Sequence, residues 1–149
     1  MRFLLICSIV LIDQISKILV HTKMNLYQSI EIIPHLLNFT YIRNEGIAFG
    51  INFPGSKVIF IVFPILITLY LFSLLKDKEF EKPFYQISLL LIIGGAIGNI
   101  IDRIFRGYVI DFIDFHINNV HWYVFNIADS SVTIGLLFFL YSSIIIQRQ

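Results

Sequence analysis

The sequence predicts an all-α integral membrane protein of four transmembrane helices, carrying a small β-rich cradle at one membrane face. Three observations lead there. Of 149 residues, 57% are hydrophobic and 15% aromatic, while 14% are charged, well below the roughly 25% of an average soluble chain. Four windows, residues 3–20, 58–75, 84–101 and 125–146, meet the spanning requirement of about 17 to 25 mostly apolar residues. Of the 11 basic and 10 acidic residues, those windows contain only Asp13, Lys17 and Asp129, which argues against the buried helices of a soluble protein. The whole of 1–149 is expected to be a single domain.

The first span follows Arg2, and a positive charge before an apolar run also opens secretory signals. No small-x-small cleavage site comes after it, and Ile6 is too bulky beside Cys7 for a lipoprotein cleavage box, so the segment is expected to be retained. Cys7 is the single cysteine; it excludes an internal disulfide or a multi-cysteine metal site and is expected to be an inert, lipid-facing or packed thiol. Asp13 and Lys17 lie one helical turn apart, a spacing at which each neutralises the other inside a bilayer. A structural ion pair is one reading; a proton relay running on to Asp129 is the other.

Residues 21–57 combine the strand-like run Leu36-Leu37-Asn38-Phe39-Thr40-Tyr41-Ile42 with the glycine-bearing stretch Asn44-Glu45-Gly46-Ile47-Ala48-Phe49-Gly50. Asn44 and Gly46 either place donors near a substrate or make a turn. After the second span, the short charged connector 76–83 returns the chain to the membrane. In the third span, Gly94 and Gly98 form a small-xxx-small patch that lets another helix approach closely. Asn99 and Arg103 repeat the one-turn spacing at the far end of that span. Arg103 suits a lipid phosphate or a substrate carbonyl, and equally a pairing with Asp102 or another acid that simply ends the helix.

Residues 102–124 are again strand-like in Val109-Ile110-Asp111-Phe112-Ile113-Asp114-Phe115 and Val120-His121-Trp122-Tyr123-Val124. Irregular backbone cannot face lipid, so the two long connectors are expected to build a sheet or cap at the interface, with Trp122 and Tyr123 at headgroup level. An even number of spans puts both termini on one side. Arg2, Lys76, Lys78, Lys82 and Arg148 then balance Lys23, Arg43, Lys57, Arg103 and Arg106 on the other, so charge alone sets no orientation. A net charge of +1 gives no sign of a nucleic-acid partner.

The fourth span carries the most informative side chain. A carboxylate at membrane depth costs about 2.5 to 3.5 kcal/mol on insertion scales, so Asp129 needs a partner or a task. Asp111, 18 residues earlier, can reach the same membrane boundary. If the two meet, repulsion and partial desolvation keep one protonated while the other stays ionised, the arrangement with which aspartic proteases activate water against a peptide carbonyl. No metal, cofactor or covalent nucleophile is required. On the bland reading Asp129 caps the fourth helix, with Asn126 or Ser130 assisting, and Asp111 is a solvated loop residue; Asp114 keeps a third pairing open. His35, His116 and His121 lack a recognisable zinc-ligand spacing, and Ser130 and Ser131 lack a nucleophile-elbow setting.

Five ordered blocks together resemble the bacterial lipoprotein signal peptidase family, signal peptidase II. They are Asp13-Gln14-Ile15-Ser16-Lys17, Asn44 to Gly50, Gly94 to Arg103, Val109 to Asp114 and Phe125 to Ser130. The resemblance implies an aspartyl endopeptidase that cuts a prolipoprotein just before its diacylglyceryl-modified cysteine. It implies a catalytic dyad of Asp111 and Asp129, supported by Asn44, Asn99, Arg103 and Asn126, with Asp13, Lys17, Gly94 and Gly98 as structural residues. It further implies a multi-pass protein of the bacterial cytoplasmic (inner) membrane, with cytoplasmic termini and an active site toward the outer leaflet. Membrane lipids are its surroundings, globomycin-type cyclic peptides its expected inhibitors, and a monomer its expected state. Ile47 departs from the family, which often has a smaller residue there, and this affects the loop over the substrate rather than either aspartate.

Overall fold

Small residues decide where the helices meet. In the computed structural model, which describes residues 2–46, 56–117 and 120–146, helix α3 (Pro83–Phe105) packs against α1 (Arg2–Lys23), α2 (Ser56–Leu74) and α4 (Ile127–Ile146). A methyl group added to Gly94 would sit 3.0 Å from the Ile9 side chain of α1, and one on Gly98 would sit 2.6 Å from Asp13 Oδ2. On the α4 side, the same addition at Gly95 would run into the Ala128 carbonyl oxygen. Gly135 answers from α4, where an added methyl would lie 2.9 Å from the Ser88 carbonyl. Helices in lipid gain little from hydrophobic burial against one another, so such close backbone approach is the main source of their attraction.

α3 is accordingly the most enclosed helix, while Phe3, Leu11, Leu66 and Leu137 on the other three are exposed. An apolar exterior is what a lipid solvent selects. α1, α3 and residues 127–144 of α4 are long and apolar enough to cross a membrane; the apolar part of α2, Val58–Leu74, is shorter and contains Pro64. α1 and α3 run past the windows 3–20 and 84–101, to Lys23 and Phe105. The fourth helix, by contrast, starts at Ile127 rather than Phe125. Phe125 is held in a β-bridge to Ile113: its N–H donates to the Ile113 carbonyl at 3.0 Å, and its own carbonyl accepts from Ile113 N–H at 2.7 Å.

The two long connectors form an antiparallel sheet in the order β1 (Ser29–Ile33), β2 (Leu37–Asn44), β3 (Val109–Ile117) and β4 (Val120–His121). β2 and β3 pair from Leu37 opposite Phe115 to Asn44 opposite Val109. This register brings Asn44 and Asp111 to the same end of the sheet. Trp122, Tyr123 and Val124, expected to extend a strand, instead form an irregular link from β4 toward Phe125, with both aromatic rings exposed. Residues Ile47, Ala48, Phe49 and Gly50 of the glycine-bearing stretch, like Arg148, lie outside the described residues.

The sheet is fastened to the helices by a small core of Val20, Tyr41, Ile110 and Phe112. Tyr41, 2% exposed, hydrogen-bonds through its hydroxyl to His21 Nδ1 at 2.8 Å, joining β2 to the end of α1. The Gly95 contact with the Ala128 carbonyl carries a direct expectation. Gly95→Ala must push α3 and α4 apart at a backbone atom that cannot rotate away, destabilising the protein by about 1 to 3 kcal/mol. Thermal unfolding of the detergent-solubilised variant should show a melting temperature lower by several degrees.

Candidate active site

The site is built outward from Lys17. Its side chain is fully buried, and its three ammonium protons face three acceptors: Asp13 Oδ2 at 2.8 Å, Asp102 Oδ2 at 3.1 Å and Asn99 Oδ1 at 2.9 Å. Asp102 also pairs with Arg106, accepts from Gln14 Nε2 at 3.2 Å and accepts the backbone N–H of Ile110 at 3.1 Å. The last bond fixes the start of β3, one residue before Asp111. Asp13 in turn accepts the N–H of Ala128 at 2.9 Å, tying the first turn of α4 to α1.

Because its Oδ1 accepts from Lys17 and from Asn126 Nδ2 at 3.2 Å, Asn99 has its amide turned so that Nδ2 donates to Asp129 Oδ1 at 2.7 Å. Asp129 closes a capping box with Asn126: Asn126 Oδ1 accepts Asp129 N–H at 2.9 Å, while Asp129 Oδ2 accepts Asn126 N–H at 3.2 Å. Helix capping and proximity to Asp111 are therefore one arrangement rather than two alternatives. Asn126, fully buried, also sends Nδ2 to Asp111 Oδ1 at 2.7 Å. One residue thus holds both carboxyl groups, Asp129 through its main chain and Asp111 through its side chain.

The second oxygen of Asp111 accepts from Asn44 Nδ2 at 3.0 Å. Asn44 is itself oriented by a turn in which its Oδ1 accepts the N–H of Gly46 at 2.9 Å, with Gly46 at φ 80°, a conformation open to glycine. Turn and donor are again a single arrangement. Burial lifts the Asp111 carboxyl from its usual range to about 6; the Asn44 hydrogen bond opposes the rise, and the Asp129 charge adds to it. Asp111 is 2% exposed and so is far from the solvated loop residue of the bland reading.

Two clefts reach this pair. One, of about 530 Å³, is lined by Asp111, Asn44, Arg43, Glu45 and Tyr27; the other, of about 540 Å³, by Asp129, Ser130, Thr133, Ile134 and Phe125. Asn44, Trp122 and Tyr123 border both. The Asp129 cleft runs along α4 past Ser130, Thr133 and Ile134.

Arg103 does not pair with Asp102, whose oxygens are taken by Lys17, Arg106, Gln14 and Ile110 N–H. Its Nε is buried and has no hydrogen-bond partner among the described residues, and the Asp129 and Asp111 charges act on it. Asp114 is drawn away from the pair, accepting from Thr40 Oγ1 at 2.7 Å and bonding His121 Nδ1 at 2.9 Å. Sequence reasoning treated Asp102 only as a partner for Arg103, and left Gln14 and Arg106 without roles. The available signal was the one-turn spacing of Asp102 and Arg106, the same spacing that singled out Asp13 and Lys17.

Fold and site together define a helical membrane protein with two carboxyl groups gathered beneath a small antiparallel sheet. The chain belongs to the signal peptidase II family, whose model matches residues 5–145. Lipoprotein signal peptidases of Buchnera aphidicola subsp. Baizongia pistaciae, Halothermothrix orenii and Staphylococcus aureus are 43%, 44% and 41% identical to it. Those matches cover 93%, 91% and 87% of this chain and 87%, 89% and 78% of the relatives. Two solved bacterial membrane enzymes superimpose with TM-scores of 0.87 and 0.88 at 37% and 38% identity, covering 96% and 95% of this chain and 87% and 90% of theirs. By membership the protein is a membrane-embedded protease.

Lys17→Met leaves Asp13 and Asp102 buried without their shared cation. Removing one partner of a buried ion pair costs about 3 to 5 kcal/mol. The variant is expected to unfold at markedly lower temperature in detergent; the Asn99 amide keeps a second hold, its Oδ1 also accepting from Asn126 Nδ2 at 3.2 Å.

Proposed function

We propose that the protein removes the signal peptide from diacylglyceryl-modified prolipoproteins, cutting before the lipidated cysteine, with Asp111 and Asp129 activating water. The observation that carries this reading is the double hold of Asn126 on both carboxyl groups, between the cleft that Asp111 lines and the more apolar one that Asp129 lines. Family membership supports the substrate class. On this reading the chain crosses the bacterial cytoplasmic membrane four times with both termini in the cytoplasm. It works as a monomer at the outer leaflet and is blocked by globomycin-type cyclic peptides.

Asp111, with its elevated pKa, carries the proton shared by the pair. Asp129 takes a proton from the attacking water as its oxygen bonds to the scissile carbonyl carbon, and Asp111 gives its proton to the carbonyl oxygen. In the second half Asp129 returns a proton to the departing nitrogen, the C–N bond breaks, and Asp111 recovers its proton from the gem-diol hydroxyl. The Arg103 Nε, without a partner among the described residues, is assigned to a substrate carbonyl, holding the peptide against the pair. A proton pathway through Asp13 and Lys17 fits poorly, because every ammonium proton of Lys17 already has an acceptor.

General acid–base help is worth about 10² to 10⁴-fold, so Asp111→Asn and Asp129→Asn should each reduce precursor cleavage by at least that factor while the protein still inserts and unfolds cooperatively. Gel-shift cleavage of a diacylated precursor, with the unmodified precursor as an uncut control, reads this out. Undiminished turnover in either variant would remove that residue from the pair.

The pH profile provides a second test. Asp111 loses its proton as pH rises through about 6, so kcat/KM should fall on the alkaline side of a limb near that value. Asn44 donates to the ionised carboxylate and thereby lowers its pKa; Asn44→Ala should move the limb to higher pH. Movement in the opposite direction would reverse the assignment of Asp111 as the acid.

A further inference from the structure

At the end of the bundle away from the sheet, a cavity of about 360 Å³ lies between the start of α1 and the start of α3, lined by Arg2, Leu5, Glu81, Pro83, Gln86 and Leu90. Gln86 is 5% exposed, and its two halves are treated differently. Nε2 donates to the carbonyls of Phe80 at 2.6 Å and Leu75 at 3.3 Å, securing the turn between α2 and α3. These bonds fix which end of the amide is nitrogen. Oε1 is buried with no donor among the described residues, an acceptor that costs about 1 to 3 kcal/mol to leave unsatisfied. At the cavity mouth stand one cation, Arg2, and one anion, Glu81, both exposed. Its floor is Leu5 and Leu90, continuous with the exposed Leu4, Phe84 and Ile87 on the lipid-facing surface.

We propose that this cavity binds the headgroup of a phospholipid bearing a primary ammonium, of the phosphatidylethanolamine type, in the leaflet opposite the active site. The phosphate faces Arg2, the ammonium donates to Gln86 Oε1 and faces Glu81, and the acyl chains follow Leu5, Ile87 and Phe84. The chemistry selects among lipids. A quaternary choline headgroup has no N–H to offer the orphan acceptor, and a glycerol headgroup brings a phosphate without the cation that Glu81 requires.

The test is thermal unfolding of the full-length protein in dodecyl maltoside micelles supplemented with dioleoyl phosphatidylethanolamine, phosphatidylcholine or phosphatidylglycerol. At about ten times the dissociation constant, the ethanolamine lipid should raise the folded-to-unfolded ratio about tenfold, a shift of roughly 3 to 5 °C, with the other two well below it. Glu81→Lys, at an exposed position that leaves the fold intact, should transfer the preference to phosphatidylglycerol. Equal shifts with ethanolamine and choline lipids would mean that the acceptor takes only water and would overturn the proposal. So would a glycerol-lipid shift that matches or exceeds the ethanolamine one in the unaltered protein, or an ethanolamine preference that survives Glu81→Lys.

Discussion

A single buried ammonium group constrains nearly everything at the sheet end of the bundle. Lys17 would be prohibitively expensive in a low-dielectric interior without compensation, and Asp13, Asp102 and the Asn99 carbonyl oxygen supply it from two helices. Each of those acceptors has a second engagement that points outward. Asp13 holds the first turn of α4, Asp102 holds the first residues of β3, and Asn99 presents its amide to Asp129. The ion cluster therefore does more than neutralise itself. It sets the positions of the two chain segments that carry Asp111 and Asp129, while Asn126 joins them.

This division between anchor and site explains why the polar residues occur where they do in so apolar a chain. The cluster lies where α1, α3 and α4 converge, and Gly98 leaves room there for the Asp13 carboxylate. Above it, the sheet supplies backbone that need not satisfy itself within a helix, because each strand finds a neighbour and Phe125 continues the pairing up to the start of α4. Asp111 sits on that backbone, buried enough for its carboxyl to be lifted to about 6, yet opening into the cleft that Arg43, Asn44 and Glu45 line.

Much of this was legible in the sequence because membranes impose such uniform demands. Long apolar windows with three charges among them announce helices, and the one-turn spacing of Asp13 and Lys17 announces a pair. The strand-like runs around Tyr41 and Asp111 announce a sheet, since they are rich in aromatic and β-branched residues and irregular backbone cannot face lipid. What stayed hidden depends on tertiary detail. The start of α4 falls two residues late because Phe125 is claimed by Ile113, a partner that no local propensity reveals. Trp122 to Val124 read as a strand by composition but make an irregular link alongside β3, touching it through the Trp122 N–H to the Phe115 carbonyl at 2.7 Å before Phe125 rejoins it. Asp102 looked like a neighbour for Arg103, yet helical geometry turns it inward to Lys17, and the Arg103 Nε is left without a partner among the described residues. The dual service of Asn126 was equally invisible, because a capping box is a local pattern whereas its bond to Asp111 crosses from helix to sheet.

The bond from Ala128 N–H to Asp13 spans 115 positions of chain. A ribosome feeding this polypeptide into a bilayer would deliver its first hydrophobic segment long before its last, so one oxygen of the early acid must wait for its backbone partner until the final segment arrives. Proteolytic competence would then appear abruptly at the close of biogenesis, and nascent or truncated chains would be harmless to the lipid-anchored proteins around them.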